Sequence, residues 1–173
     1  MAFEITNMMP RLVPPDTFHL EAAQGWLELG NHVEAEAELN KITPRFRAHP
    51  AVLEVRWEIC ARAKKWDAAL QIATALVRVA PDHPLGWVHR SFCLYELERT
   101  AEAHDKLPRA THKSPEDAIM RYNLACHECR LGRLEQARHW LQKAFEVGDP
   151  QRIKLMALDD PDLKPLWRDI GSA

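Results

Sequence analysis

Val33-Glu34-Ala35-Glu36 is the first of four short stretches that recur 34 residues apart in this sequence. The other three are Asp67-Ala68-Ala69-Leu70, Ala101-Glu102-Ala103-His104 and Glu135-Gln136-Ala137-Arg138. Four residues after each alanine stands Leu39, Ala73, Leu107 or Leu141, and three further on stands Ile42, Leu76, Ala110 or Ala144. These offsets place small or apolar side chains on one face of a helix, four times over.

The surroundings of each stretch indicate pairs of helices. Pro50 and Pro84 open the second and third units, where the missing N–H of proline suits the first turn of a helix. The turns include Leu29-Gly30-Asn31 and Leu131-Gly132-Arg133. With 12 prolines and only 6 glycines and 2 tyrosines, the composition also favours helices over sheets. We therefore predict an all-α fold.

This pattern resembles the tetratricopeptide repeat, a 34-residue helix–turn–helix unit. The resemblance implies a right-handed α-solenoid of about four units followed by C-terminal capping helices. The expected organisation is an extended N-terminal arm at 1–15 and a single domain at 16–173. That domain divides into repeats 16–49, 50–83, 84–117 and 118–151 and a capping tail 152–173.

Two features outside the regular pattern carry further expectations. Trp57 fills a place that is small in the other units (Ala23, Ser91 and Ala125), so its helix pair cannot approach its neighbour in the usual way. In the tail, Asp160-Pro161 starts a short helix with aspartate as the N-cap. Leu163, Leu166 and Trp167 then cover the apolar face that a terminal repeat exposes.

The resemblance also implies where a partner would bind, because the first helix of each unit lines the concave surface of such arrays. Its usual groove positions give this chain twelve candidate partner-binding residues: Glu21, Gln24, Glu54, Glu58, Val88, His89, Phe92, Tyr95, Tyr122, Asn123, Cys126 and Arg130. The first half of this set is acidic and the second half is apolar and aromatic. Such a surface suits a peptide or helical segment with apolar anchors and basic residues.

The alternative for the aromatic residues is simple packing, with Phe92 and Tyr95 against the capping tail or the N-terminal arm. Charges also alternate along the array as Glu28, Arg62, Glu96 and Arg130. We expect this alternation to form a ladder of ion pairs between neighbouring helices rather than to recognise a ligand.

The sequence contains few candidate catalytic or metal-binding residues. Cys126 and Cys129 lie three apart on a helix and could join His89 in a metal site, but small groove or core cysteines are the stronger interpretation. No Gly-rich phosphate loop or nucleophile elbow is present. We expect no catalytic residues, no cofactor and no metal.

Charge and hydropathy limit the class of partner. A formal net charge of −2 gives no global attraction to nucleic acid or to an anionic membrane. No apolar run is long enough to span a bilayer, and the start lacks a secretory pattern, so a cytoplasmic location is expected.

We therefore predict an adaptor or scaffold that binds another protein. The alternatives are a small chaperone that masks an apolar segment of one client and, less favoured, an enzyme that uses Cys126 and Cys129.

Overall fold

The computed structural model describes residues 10–103 and 116–172, and every regular element within these two ranges is a helix. The α-helices are α1 (Asp16–Glu28), α2 (His32–Lys41), α3 (Pro50–Arg62), α4 (Trp66–Val79), α5 (Pro84–Glu96), α6 (Ala118–Arg130), α7 (Leu134–Val147), α8 (Pro150–Asp159) and α9 (Trp167–Ser172). Two 3-10 helices, Pro44–Phe46 and Pro161–Leu166, lie between them. Residues 100–103 are also helical.

The predicted helical fold is confirmed, and the four recurring alanines lie at its contacts. Ala35, Ala69, Ala103 and Ala137 are each no more than 1% exposed. A methyl group at this place lets the two helices of a pair pack closely, because a larger side chain would hold them apart. The pairs α1/α2, α3/α4 and α6/α7 are in direct contact, and α5 packs on both α4 and α6.

The turn between the two helices of a pair has one geometry at four places. Gly30, Lys64, Glu98 and Gly132, again 34 residues apart, all have a positive φ, between 53° and 78°. In each turn this residue donates its N–H to a carbonyl three residues back, and the next residue donates to one five residues back. This pattern is the left-handed helix cap that favours glycine.

The tail closes the C-terminal end of the array. Leu163 and Leu166 of the second 3-10 helix and Ile170 of α9 are buried in one cluster with Ala137 and Leu141 of α7. Asp160 caps the 3-10 helix by accepting from the N–H of Asp162 at 3.0 Å, as the Asp-Pro signal predicts. Trp167 packs against the same cluster and donates to the carbonyl of Ala157 at 2.9 Å.

Two expectations fall largely outside the described residues. Of the predicted arm 1–15, only 10–15 is described; Leu12 packs against the core of the first two units and Val13 begins the turn that leads into α1. The second helix expected in repeat 84–117 is described only at its start, because residues 104–115 are not included.

Candidate protein-binding surface

The candidate residues lie on α1, α3, α5 and α6, and we call the surface formed by these helices the first-helix surface. In its N-terminal half Glu21 and Gln24 are exposed, while Glu54 and Glu58 are half-buried. Burial raises the pKa of Glu54 above its ordinary value. Glu58 forms an ion pair with Arg62 within α3. This half is therefore acidic and open, with part of its charge balanced locally.

An aromatic cluster, Trp57, Trp66, His89 and Phe92, joins the two halves. The rings of Trp57 and His89 are stacked with centroids 3.5 Å apart and planes 8° from parallel. Phe92 presents its ring edgewise to Trp57 at 6.4 Å and to Trp66 at 5.5 Å. Burial lowers the pKa of His89 to about 4, so its ring is neutral near pH 7.

Trp57 occupies the repeat position that is small in the other units, and it changes how α3 packs against α5. Its indole N–H donates to Cys93 Sγ at 3.2 Å, which ties α3 to α5 through side chains. The backbones of α3 and α5 are in less extensive contact than those of α1 and α3 or of α5 and α6. The gap is filled by rings, and Phe92 remains 38% exposed on the surface beside them.

The C-terminal half of the first-helix surface is partly covered by the tail. Tyr122 and Cys126 are buried, and both donate to the carboxylate of Asp160, the tyrosine Oη at 2.8 Å and the thiol Sγ at 3.4 Å from Oδ2. The expectation that the tail covers this end therefore extends to two residues assigned to the groove. Tyr122 is a packed residue whose side chain helps hold the tail in place.

A cavity of about 150 Å³ remains between α5, α6 and the tail. Five of the twelve candidates line it: Phe92, Tyr95, Tyr122, Asn123 and Cys126. The other lining residues are His127, Asp160 and Asp162. Sequence reasoning missed the two aspartates, because Asp160 was recognised only as a helix cap and Asp162 carried no signal.

Two further candidates of this half, Val88 and Arg130, pack across the contact between α5 and α6. Tyr95 stacks on His127 with ring centroids 5.5 Å apart, and the guanidinium of Arg130 lies 4.3 Å from the Tyr95 ring centroid. Val88 packs from α5 against the buried pair Met120 and Leu124.

The prediction that the alternating charged side chains pair between neighbouring helices is wrong. Within the part of the chain that the structure describes, Arg62 pairs with Glu58 of its own helix and donates to the carbonyl of Leu27. Arg130 stacks on Tyr95 instead of pairing with Glu96. Long side chains on helices satisfy the nearest acceptor, which here lies within the helix or on the neighbouring backbone.

Cys126 and Cys129 are buried thiols. Burial raises the pKa of Cys129 to about 11 and raises the pKa of Cys126 further still, with the Asp160 charge as the second cause. Among the residues described, no group of three or more His, Cys, Asp or Glu side chains is arranged to hold a metal ion. The thiolate needed for nucleophilic chemistry or metal binding is disfavoured at both positions.

The sequence matches one known protein family over part of its length. A family model of the tetratricopeptide repeat matches residues 94–151. No curated protein matches the sequence significantly. Within residues 10–103 and 116–172, no helix is both long and apolar enough to cross a membrane.

Solved structures share the fold at low sequence identity. MamA, from residue 41 to its end, of Desulfovibrio magneticus RS-1 is 18% identical with a TM-score of 0.71, over 94% of this chain and 96% of that one. PilF of Pseudomonas aeruginosa is 18% identical with a TM-score of 0.73, over 89% and 68%. A thermophilic TPR protein of Thermus thermophilus is 18% identical with a TM-score of 0.69, over 90% and 83%.

The class that the fold defines is an array of paired helices of the helical repeat type. The matching family model shows a tetratricopeptide repeat segment at residues 94–151, and the helix pairs before and after it share the fold of solved tetratricopeptide repeat proteins.

Proposed function

We propose that this protein is an adaptor that binds a peptide or helical segment of another protein along the first-helix surface. The observation that carries the proposal is Phe92, a large apolar side chain that is 38% exposed beside an open cavity. Its ring is held edgewise by Trp57 and Trp66, so it offers a rigid contact that loses little side-chain entropy on binding.

The chemistry of the surface favours a segment with apolar anchors and basic residues. Phe92 and Tyr95 offer aromatic contacts, and Glu21 and Glu54 contribute negative charge at the N-terminal half. Opposite charge on the partner would steer its approach and fix its orientation. The proposed role is binding rather than catalysis, in the cytoplasm, where the four free cysteines stay reduced. We propose neither nucleic acid nor a membrane as a partner.

The experiment selects binding peptides from a displayed random library and measures their affinity for two variants. Phe92→Ala should weaken binding about tenfold or more, in the range of an interface hot spot. Phe18→Ala removes a ring of the same kind that is 62% exposed on α1, outside the groove positions, and should leave affinity unchanged. Phe18→Ala should melt within a few degrees of the wild type. Phe92→Ala, which also loses two edgewise ring contacts, should melt lower but still as a cooperatively folded protein.

The same pair of variants tests the chaperone alternative. Unit one exposes a second group of apolar side chains, Phe18, Trp26, Leu29 and Val33, which could mask an apolar segment of a client. Loss of binding in Phe18→Ala with full binding in Phe92→Ala would favour that mode and contradict the groove proposal.

A further inference from the structure

The cavity beside Phe92 has two carboxylates in its lining, both supplied by the tail. Asp160 is the N-cap of the second 3-10 helix, and Asp162 follows two residues later. Asp160 is fixed by three donors: the N–H of Asp162 at Oδ1, and the Tyr122 hydroxyl and Cys126 thiol at Oδ2. A carboxylate held in this way has its position set before any ligand arrives.

The described hydrogen-bond donors to Asp160 carry no positive charge that would neutralise it. The tyrosine hydroxyl and the cysteine thiol are neutral, because the pKa of each is raised. Among the described residues, neither Asp160 nor Asp162 forms an ion pair with a lysine, arginine or histidine. Burial also raises the pKa of Asp162, because it disfavours the charged carboxylate.

Arg130 of α6 contacts the Tyr95 ring, not these carboxylates. Arg130 lies over the Tyr95 ring at 4.3 Å from its centroid, so one face of that ring is already occupied by a cation. A second cation would therefore find its favourable position at the two carboxylates rather than on that ring face.

The walls of the cavity suit an alkyl chain. Phe92 is exposed at one side, and Tyr95 and Tyr122 also contribute aromatic surface. A cavity of about 150 Å³ is of the size that takes a benzene ring in other proteins, which is comparable to the end of one long side chain. Lysine and arginine bury their methylene stems on apolar surface while the charged end meets a polar group.

We propose that this cavity receives the end of one lysine or arginine side chain of the bound segment. The charged end meets the carboxylates of Asp160 and Asp162, and the methylene stem lies against Phe92. The inference rests on the proposed function, since it names one side chain of the same partner. A chain-terminal carboxylate or an acidic side chain would be repelled from this position.

The test uses the full chain and a peptide selected by it from the displayed library. Replacing the basic residue of that peptide by norleucine, which keeps the stem and removes the charge, should weaken binding about tenfold. Asp162→Asn should weaken the basic peptide about fivefold or more and leave the norleucine peptide nearly unaffected. Asp162 is the residue to change, because Asp160 also holds the tail through Tyr122.

Asp159→Asn is the matched control. It makes the same change of net charge one residue away from Asp160, at an exposed end of α8 that does not line the cavity. It should leave both affinities unchanged, and circular dichroism melting should show all variants folded. An equal loss in Asp159→Asn and Asp162→Asn would mean long-range attraction only and would overturn the proposal.

The outcomes separate this inference from the proposed function. Selected peptides that depend on Phe92 but show no preference for lysine or arginine would overturn the cavity assignment alone. If Asp162→Asn weakened the basic and norleucine peptides equally, the cavity assignment would likewise be overturned while the proposed function would stand. A library that yields no Phe92-dependent binder would contradict the proposed function and this inference together.

Discussion

The two ends of the molecule differ from its middle. At the N-terminal end, Ala23 and Ala35 lie at 0% exposure in one cluster, and at the C-terminal end Ala125 and Ala137 do so in another. Between them, α3 and α5 are joined by the rings of Trp57 and His89. The ends therefore follow the small-residue packing of the repeat, and the middle replaces it with an aromatic joint.

The difference teaches where a repeat protein can place a binding surface. Small residues at the contact bring helices together and bury the side chains beside them, as with Leu20 and Leu27 beside Ala23. A large residue at the same contact holds the helices apart and leaves a neighbour such as Phe92 accessible. Departures from a local rule are expected at functional sites, and here the departure adjoins the exposed aromatic side chain.

The largest expected effect tests the packed C-terminal end. Leu163→Ala removes a side chain that is 0% exposed in the capping tail and should lower the free energy of unfolding by about 2–5 kcal/mol. Leu155→Ala, in the same tail but 71% exposed, should change it by less than about 0.5 kcal/mol. Urea denaturation followed by circular dichroism measures both. Similar small losses in the two variants would show that the tail does not seal the core.

The aromatic joint should make stability depend on pH. The pKa of His89 is about 4 in the folded chain, whereas the pKa of a histidine in an unfolded chain is about 6.5. Between these values only the unfolded state binds the proton, so this contribution is present above about pH 6.5 and is lost as the pH falls toward 4. We expect a loss of about 1–2 kcal/mol, allowing for the partial exposure of the ring.

His89→Phe is the variant that isolates this effect, because it keeps a ring on Trp57 and removes the titration. Its free energy of unfolding should fall less than that of the wild type between neutral and about pH 4.5 in urea titrations. His49, whose pKa is also lowered by burial, contributes equally to both proteins and cancels in the difference. Identical pH profiles would mean that the joint tolerates a charged His89.

The sequence predicted the repeated helix pairs, but it did not predict the contacts that the C-terminal tail makes with them. The period of Ala35 and its three counterparts was enough for the helix pairs, since each contact is local and recurs. The burial of Tyr122 and Cys126 was not predictable from their groove position, because Asp160 reaches them from the tail. That contact depends on the path of the chain after α8, which no periodic pattern specifies.

The ion-pair partners of charged side chains could not be predicted from the sequence either. Glu28 and Arg62 occupy equivalent places in successive units, yet Arg62 finds Glu58 within its own helix. Position in the repeat determines which face a side chain leaves from, but the rotamer of a long side chain is decided by all acceptors within reach.

The smallest expected effect compares the turns of the outer helix pairs with those of the inner ones. Gly30 and Gly132 have a left-handed backbone at no steric cost, whereas Lys64 and Glu98 take the same conformation with a side chain. Lys64→Gly and Glu98→Gly should each raise the free energy of unfolding by about 0.5 kcal/mol, because the relief of strain exceeds the added freedom of the unfolded chain.

The reverse changes give the matched control for these turns. A Cβ added at Gly30 or Gly132 meets no atom within 4 Å, so Gly30→Ala and Gly132→Ala should lose about 1 kcal/mol through backbone conformation alone. Urea denaturation of the four single variants should therefore give gains in the inner turns and losses in the outer ones. A loss in Lys64→Gly or Glu98→Gly would instead show that the side chain stabilises its turn, and the inner pairs would then be adapted to their residues rather than strained by them.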